Sequence, residues 1–250
     1  MIRMKPALAI AIILVSITSF IEIAQAQLSI SPKIIAEPPN LPPGTGKPDD
    51  RSPGGTRGPC EDITGVSFTP LLPVNKSGFS GYTMTGYPTF WFYVAYKSQE
   101  IYGKFSLENS QKKQVYQTHL KLPQTPGFVS VSIPTSKKPL EKNQAYTWKF
   151  TLNCPSSDPL DYPKVWHTGI VQRIDMPALE NQLKTAKLEE RTKLYITNSI
   201  WYDAPTDVAN ISNRSSAWLN LLKAMNLEQL EKEPIVGSVM PVDREIERQN

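Results

Sequence analysis

Nine residues, PTFWFYVAY at positions 88–96, constrain this chain more than any other stretch. Read with the two-residue period of a strand, Phe90, Phe92, Val94 and Tyr96 share one face, and Thr89, Trp91, Tyr93 and Ala95 share the other. Both faces are aromatic and neither carries a charge. A strand apolar on both sides is covered on both sides, so the stretch is expected at the centre of the core with helices over one face. Trp91 and Tyr93 carry polar tips. The alternative is therefore that their face lines a groove and binds a ligand.

Around this strand the pattern is simpler. Segments 66–72, 89–96, 102–107, 115–122, 127–133 and 145–154 are short and rich in β-branched and aromatic residues, with turn formers between them. Tyr146, Trp148 and Phe150 oppose Thr147 and Lys149, and Val129, Val131 and Ile133 oppose Ser130 and Ser132, so these strands are expected to keep one wet face. After Asp175 the period turns helical. Leu179, Leu183 and Ala186 stand at i, i+4, i+7, with Asp175 as a cap and Pro177 in the first turn. A second helix is read over 188–198. A third starts at about Ala204, carries Val208 and Ile211, and has Asp203 as its N-cap. The last follows Ser215 or Ser216 and shows the stripe Trp218, Leu221, Leu222, Met225. The predicted fold is α+β: an antiparallel, sandwich-like sheet of five to six strands followed by a C-terminal layer of three to four helices.

The ends read differently. Arg3 and Lys5 precede the apolar run 7–21, and Ala24-Gln25-Ala26 forms a small-residue cleavage site, so residues 1–26 are expected to be a signal peptide cut between Ala26 and Gln27. The remainder contains no further segment long and apolar enough to span a bilayer, which implies a periplasmic or secreted protein. Residues 27–59 read as a linker: from position 31 to 59 there are eight prolines, five glycines and only three large aliphatic side chains, too little apolar surface to offset the entropy of ordering. A β-rich domain is expected over 60–174, helices packed on it over 175–233, and a flexible charged tail over 234–250. Cys60 and Cys154 are the only cysteines. In an exported chain such a pair is most simply one disulfide, a metal pair or a reactive thiol being the alternatives. The bridge would close a long loop and contribute about 4–5 kcal/mol in the chain-entropy account.

Little in the sequence looks like chemistry. Without the leader, 25 basic residues face 22 acidic ones, and the longest basic clusters are the doublets Lys112-Lys113 and Lys137-Lys138. A nucleic-acid binder concentrates charge far more. PPGTGK at 42–47 imitates a phosphate-binding loop but lacks the first glycine of the spacing, since Leu41 stands there, and has Pro48 where a magnesium-binding hydroxyl is needed. No nucleotide is expected. The two histidines, His119 and His167, are far apart in the chain and fit no metal-ligand spacing, so neither a metal nor another cofactor is expected. Dispersed carboxylates (Asp158, Asp161, Asp175, Asp203) leave a hydrolase open. Arg57, between glycines in GGTRGPC, could offer a bidentate donor to a carboxylate or sulfate, or anchor the chain where it enters the domain.

GGTRGPC (54–60), PTFWFYVAY, PGFVSVSIP (126–134), AYTWKFTLNC (145–154) and SIWYDA (199–204) occur in this order. Together they resemble the family catalogued as "domain of unknown function 928", known mainly from cyanobacteria, over about 54–230. Pro205 departs from the leucine usual after WYDA. The resemblance implies an exported protein and supplies no activity or catalytic residue to carry over. The helical segment resembles, more weakly, one tetratricopeptide-like hairpin, but a single copy has no neighbour to bury its face, so a helical layer on the sheet is expected. The functional expectation is a non-enzymatic interaction module acting on a protein or cell-envelope partner, with Arg57, Trp91, Tyr93 and Asp203 as candidate binding residues. The alternative is a carbohydrate-active or other hydrolytic enzyme using dispersed Asp or Glu.

Overall fold

The computed structural model describes residues 54–55, 68–75, 78–96, 101–153, 164–211 and 215–242. In chain order the strands are β1 (Gly54–Gly55), β2 (Phe68–Pro70), β3 (Val74–Asn75), β4 (Gly78–Thr83), β5 (Thr89–Val94), β6 (Tyr102–Asn109), β7 (Gln114–Lys121), β8 (Gly127–Ser132), β9 (Ala145–Asn153) and β10 (Lys164–Arg173). Helices α1 (Pro177–Thr185), α2 (Leu188–Thr197), α3 (Ala204–Ala209) and α4 (Ser215–Ala224) follow, then a short 3-10 turn and β11 (Ile235–Ser238). The α+β class is as expected, and all six expected strands and four expected helices are present.

The strands divide between two sheets. One runs β3-β4-β10-β9-β6-β7 with β1 added beside β10, and the other runs β11-β8-β5-β2. The sheets are mixed rather than wholly antiparallel, because β4 lies parallel to β10 and β11 parallel to β8. β5 is interior to the smaller sheet, as its two apolar faces require. Phe90 meets Phe105 at 4.7 Å, and Phe92 meets Phe150 at 4.6 Å and Trp148 at 5.5 Å across the gap between the sheets. On the other face the Trp91 indole N–H donates to Thr206 Oγ1 in α3 (2.9 Å), and Phe128 beside Tyr93 stacks edge-on against Trp218 of α4 (5.0 Å). The order is therefore sheet, sheet, helices, with β5 in the middle layer.

Several expectations are corrected. Residues 164–173, outside the six strands read from the sequence, form the longest described strand, central in the larger sheet. Gly169 shows why its local pattern misleads: the Trp148 ring lies where a side chain would be, 2.4 Å from an added Cβ. β4 was not anticipated, because GFSGYT resembles a turn and is buried throughout by its neighbours. Ser130 is 4% exposed, so β8 has no wet face until Ser132. The linker ends early, since Gly54 and Gly55 pair with Trp166 and Val165. The tail is not loose from residue 234 either: β11 pairs with β8, and Leu120 bridges Pro241. Asp175 does not cap α1, whose N-cap is Met176. Its carboxylate instead takes Lys142 at 2.6 Å. Among the described residues no helix is long and apolar enough to cross a membrane. The segment 1–26, the cleavage pair Ala26 and Gln27, the decoy at 42–47, Arg57, and Cys60 with Cys154 lie outside the described residues.

Candidate functional site

Two regions gather polar side chains from distant parts of the chain, and they differ in what they can do. The first is SIWYDA. Helix α2 ends with Ser199 in the left-handed region (φ 57°), Ile200 N–H bonded back to Tyr195 O and Ser199 N–H to Ile196 O, the paired bonds of a Schellman stop. The reversal lays the chain against β4. Tyr82 N–H donates to Ser199 O (2.9 Å) and Tyr202 N–H to Tyr82 O (3.4 Å). Trp201 then packs over Gly81, whose missing side chain leaves the space, 2.9 Å from an added Cβ. The Tyr202 hydroxyl accepts from the Trp148 indole N–H (2.6 Å) and donates to Ile170 O (2.8 Å), and burial pushes its phenol far above the ordinary value. Asp203 occupies the N-cap position of α3 but makes no capping bond. Its carboxylate instead accepts from Thr83 Oγ1 (2.5 Å) and Met84 N–H (2.8 Å) at the end of β4. Burial raises the Asp203 pKa, opposed by those two bonds.

This region looks like a catalytic constellation and is a structural clamp. Asp207 is held by Arg191 through Nε (2.8 Å) and Nη2 (3.0 Å). The nearby Tyr195 phenol is pushed well up by burial and by the charges of Asp207 and Asp203. Each carboxylate is satisfied by neighbours. Trp91, 7% exposed, and Tyr93, 4% exposed, lie largely beneath the helices, and Trp91 lines a small cavity with Pro70, Trp201 and Pro205. His167 is buried between Phe68 and Phe79, and its Nε2–H donates to Phe68 O (2.8 Å), joining the two sheets. Among the described residues no three His, Cys, Asp or Glu side chains gather as a metal site. Asp158 and Asp161 lie outside the described residues.

The second region is a groove along β7, the edge strand of the larger sheet. One part, about 480 Å³, is lined by residues 114–119, Lys137, Pro241 and Val242. The adjoining part, about 400 Å³, shares Gln114, Val115, Tyr116 and Lys137 and adds Lys113, Lys138, Glu141 and Tyr146 among others. The fold thus brings Lys113 of one lysine doublet and both members of the other, Lys137 and Lys138, to one rim. Lys113 is fixed by the β6–β7 turn. Lys112 takes a left-handed φ of 62°, and Asn109 Oδ1 accepts from Gln111 and Lys113 N–H, each at 3.0 Å. Lys137 and Lys138 ride on a loop tied down at Leu140, whose N–H donates to Gly86 O (2.8 Å) and whose carbonyl accepts from Arg173 (2.6 Å). Among the described residues none of these three lysines is ion-paired. Val115, 41% exposed, lies at a bulge between Leu107 and Glu108 of the facing register. Burial raises the Tyr116 phenol, so it stays neutral and adds no opposing charge.

The family profile for Domain of Unknown Function (DUF928) matches residues 52–235, most of the chain. The chain belongs to this family. No curated protein matches it in sequence. Within the DUF928 domain the motifs that carried the resemblance have architectural roles where they are described: PTFWFYVAY is the middle layer, AYTWKFTLN supplies Trp148 and Phe150, and SIWYDA is the clamp. Of these motifs the β7 groove takes only Ile133 and Tyr146 into its lining. Its one signal in the sequence was the pair of lysine doublets, and nothing local says that they meet.

Proposed function

We propose that this DUF928 protein is an exported, non-enzymatic interaction module that binds an extended acidic segment of a protein partner along the open edge of β7. One observation carries the reading: an eight-residue edge strand beside which, among the described residues, lie Val242 and Pro241 at His119 and Leu120, together with three lysines that form no ion pair with any described residue and a single glutamate. Unpaired strand edges are templates for another strand. Lysines beside an edge ordinarily prevent pairing; lysines of one sign also discriminate, repelling basic strands and favouring acidic ones. Val115 offers an apolar contact within the same surface. Export is supported by the leader-like segment and an A-x-A site at its end.

The test is fluorescence anisotropy with a short labelled peptide of alternating glutamate and valine. Binding is expected to weaken with ionic strength. The triple variant Lys113→Gln, Lys137→Gln, Lys138→Gln is expected to lose about tenfold, from three exposed pairs at a few tenths to one kcal/mol each. Equal affinity of wild type and variant overturns the reading, and so does equal binding of a lysine–valine peptide. Dextran sulfate binding as tightly as the peptide would also overturn it, since a polyanion without backbone amides cannot add a strand.

A further inference from the structure

The larger sheet has a second face. Phe105 and Phe150 turn toward the smaller sheet, where they meet Phe90 and Phe92. By the two-residue period the alternate residues of β6, β7 and β9 turn away from it. The register fixes what this outer face carries. Tyr102 pairs with Lys121, Lys104 with His119 and Thr151, and Ser106 with Gln117 and Lys149. Thr151 pairs in turn with Trp166 of β10. Lys121, Lys104 and Lys149 therefore stand on a diagonal, one strand over and two residues along at each step, about 7–8 Å between successive positions. All three are exposed, and none forms an ion pair with a described residue. Glu108 is the only acid in β6, β7, β9 and β10, and it lies beyond the end of this diagonal.

Two rings hold the amines to the face. Lys121 Nζ lies over the Tyr102 ring, 5.8 Å from its centroid, and Lys149 Nζ lies over the Trp166 ring at 4.7 Å. Beside the amines stand the hydroxyls and amide of Ser106, Thr151 and Gln117, with no aliphatic side chain among them. That composition selects a partner. A protein anchor or a lipid surface needs apolar contact, which these residues do not offer. A single-stranded nucleic acid stacks its bases on open rings, and here an ammonium lies over each ring. A chain with a carboxylate on each unit and hydroxyls between is matched at both kinds of group. We propose that the outer face of the larger sheet binds an acidic polysaccharide of the uronate class along the line Lys121, Lys104, Lys149. The carboxylates meet the amines, and the sugar hydroxyls meet Ser106, Gln117 and Thr151. This surface uses none of the groove lysines and does not rest on the function proposed for β7.

The test is fluorescence anisotropy of a labelled polygalacturonate oligomer with the full chain. Binding is expected, and it should weaken with ionic strength. The variant Lys104→Gln, Lys121→Gln, Lys149→Gln should bind about tenfold more weakly, with an unchanged melting temperature, since all three side chains are exposed. The groove variant at Lys113, Lys137 and Lys138 should bind the oligomer as wild type does, and the oligomer should not displace the glutamate–valine peptide. Dextran sulfate, which brings charge without carboxylates, should bind more weakly than polygalacturonate. No binding by wild type, or equal binding by the Lys104, Lys121, Lys149 variant, overturns the proposal. Loss of binding only in the groove variant also overturns it and moves the sugar to β7. Tighter lysine-dependent binding of dextran sulfate, of phosphatidylglycerol vesicles or of a thymidine oligonucleotide overturns it as well, making the face a charge patch, a membrane contact or a nucleic-acid contact respectively.

Discussion

At the scale of single residues, Asp203 is the most informative. Its position just before α3 suggests a helix cap, and its neighbours Trp201 and Tyr202 suggest a site, yet its carboxylate serves β4. The choice follows from distance: the Schellman stop brings residues 199–203 against Tyr82 and Thr83, where a backbone N–H and a hydroxyl are otherwise without an acceptor. Burial raises the Asp203 pKa, so the folded protein holds that proton more tightly than the unfolded chain does. The stabilising contribution is then complete below the unfolded value of about 3.9 and is lost as pH rises through the raised folded value. Asp203→Asn cannot ionise. Urea titrations of both proteins across this range should show wild type losing ground to Asp203→Asn as pH rises and a constant difference below it. Wild type gaining instead would mean that the anion is the favoured form.

At the scale of elements, the recurring problem is the strand edge. The smaller sheet ends at β2, three residues closed by Pro70, and at β11. β8, GFVSVS, has no charge and no proline, so an uncovered β8 would pair with other chains. β11 covers it, with Phe128 N–H donating to Pro234 O (2.8 Å) and Val239 N–H to Ser130 O (3.0 Å). The larger sheet ends at β3, continued by the pairing of Ser199 and Tyr202 with Tyr82, and at β7. Among the described residues, only β7 is a long edge strand left largely uncovered. A chain ending at residue 233 should lose several kcal/mol, since the ladder and the buried Val239 go together, and should aggregate on warming by light scattering. The same chain staying monomeric with an unchanged melting temperature would show that β11 is dispensable.

At the scale of the whole molecule, Tyr202 ties the three layers into one core. Its hydroxyl bridges β9 and β10 of the larger sheet, its ring meets Phe90 of the smaller one at 5.2 Å, and its backbone connects α2 to α3 in the helical layer. Tyr202→Phe leaves the Trp148 indole N–H without its acceptor at a fully buried site. The expected cost is about 1–3 kcal/mol, with the slope against denaturant unchanged. Near- and far-ultraviolet dichroism should report one coincident transition. Helices melting ahead of the sheets would show that the layers are not one cooperative unit.

The sequence alone determined most of the elements and the burial of β5. Those signals are local: a two-residue period, a 3.6-residue period and the absence of charge on both faces of nine residues. It did not reveal β4 or the rank of β10, because strands rich in small residues show their character only when a neighbour's Trp148 or Trp201 fills the space above Gly169 or Gly81. Cap and site roles for Asp203 were both plausible from spacing, and the tertiary contact with Thr83 and Met84 decided between them. The groove was the least legible. Lys113 and Lys137 are separated by two strands, β7 and β8, and their connections, and each doublet alone is an ordinary solvated pair. Only the folded topology, with β7 at the edge and the loop of Leu140 pinned beside it, turns them into one basic surface along the edge strand of the sheet.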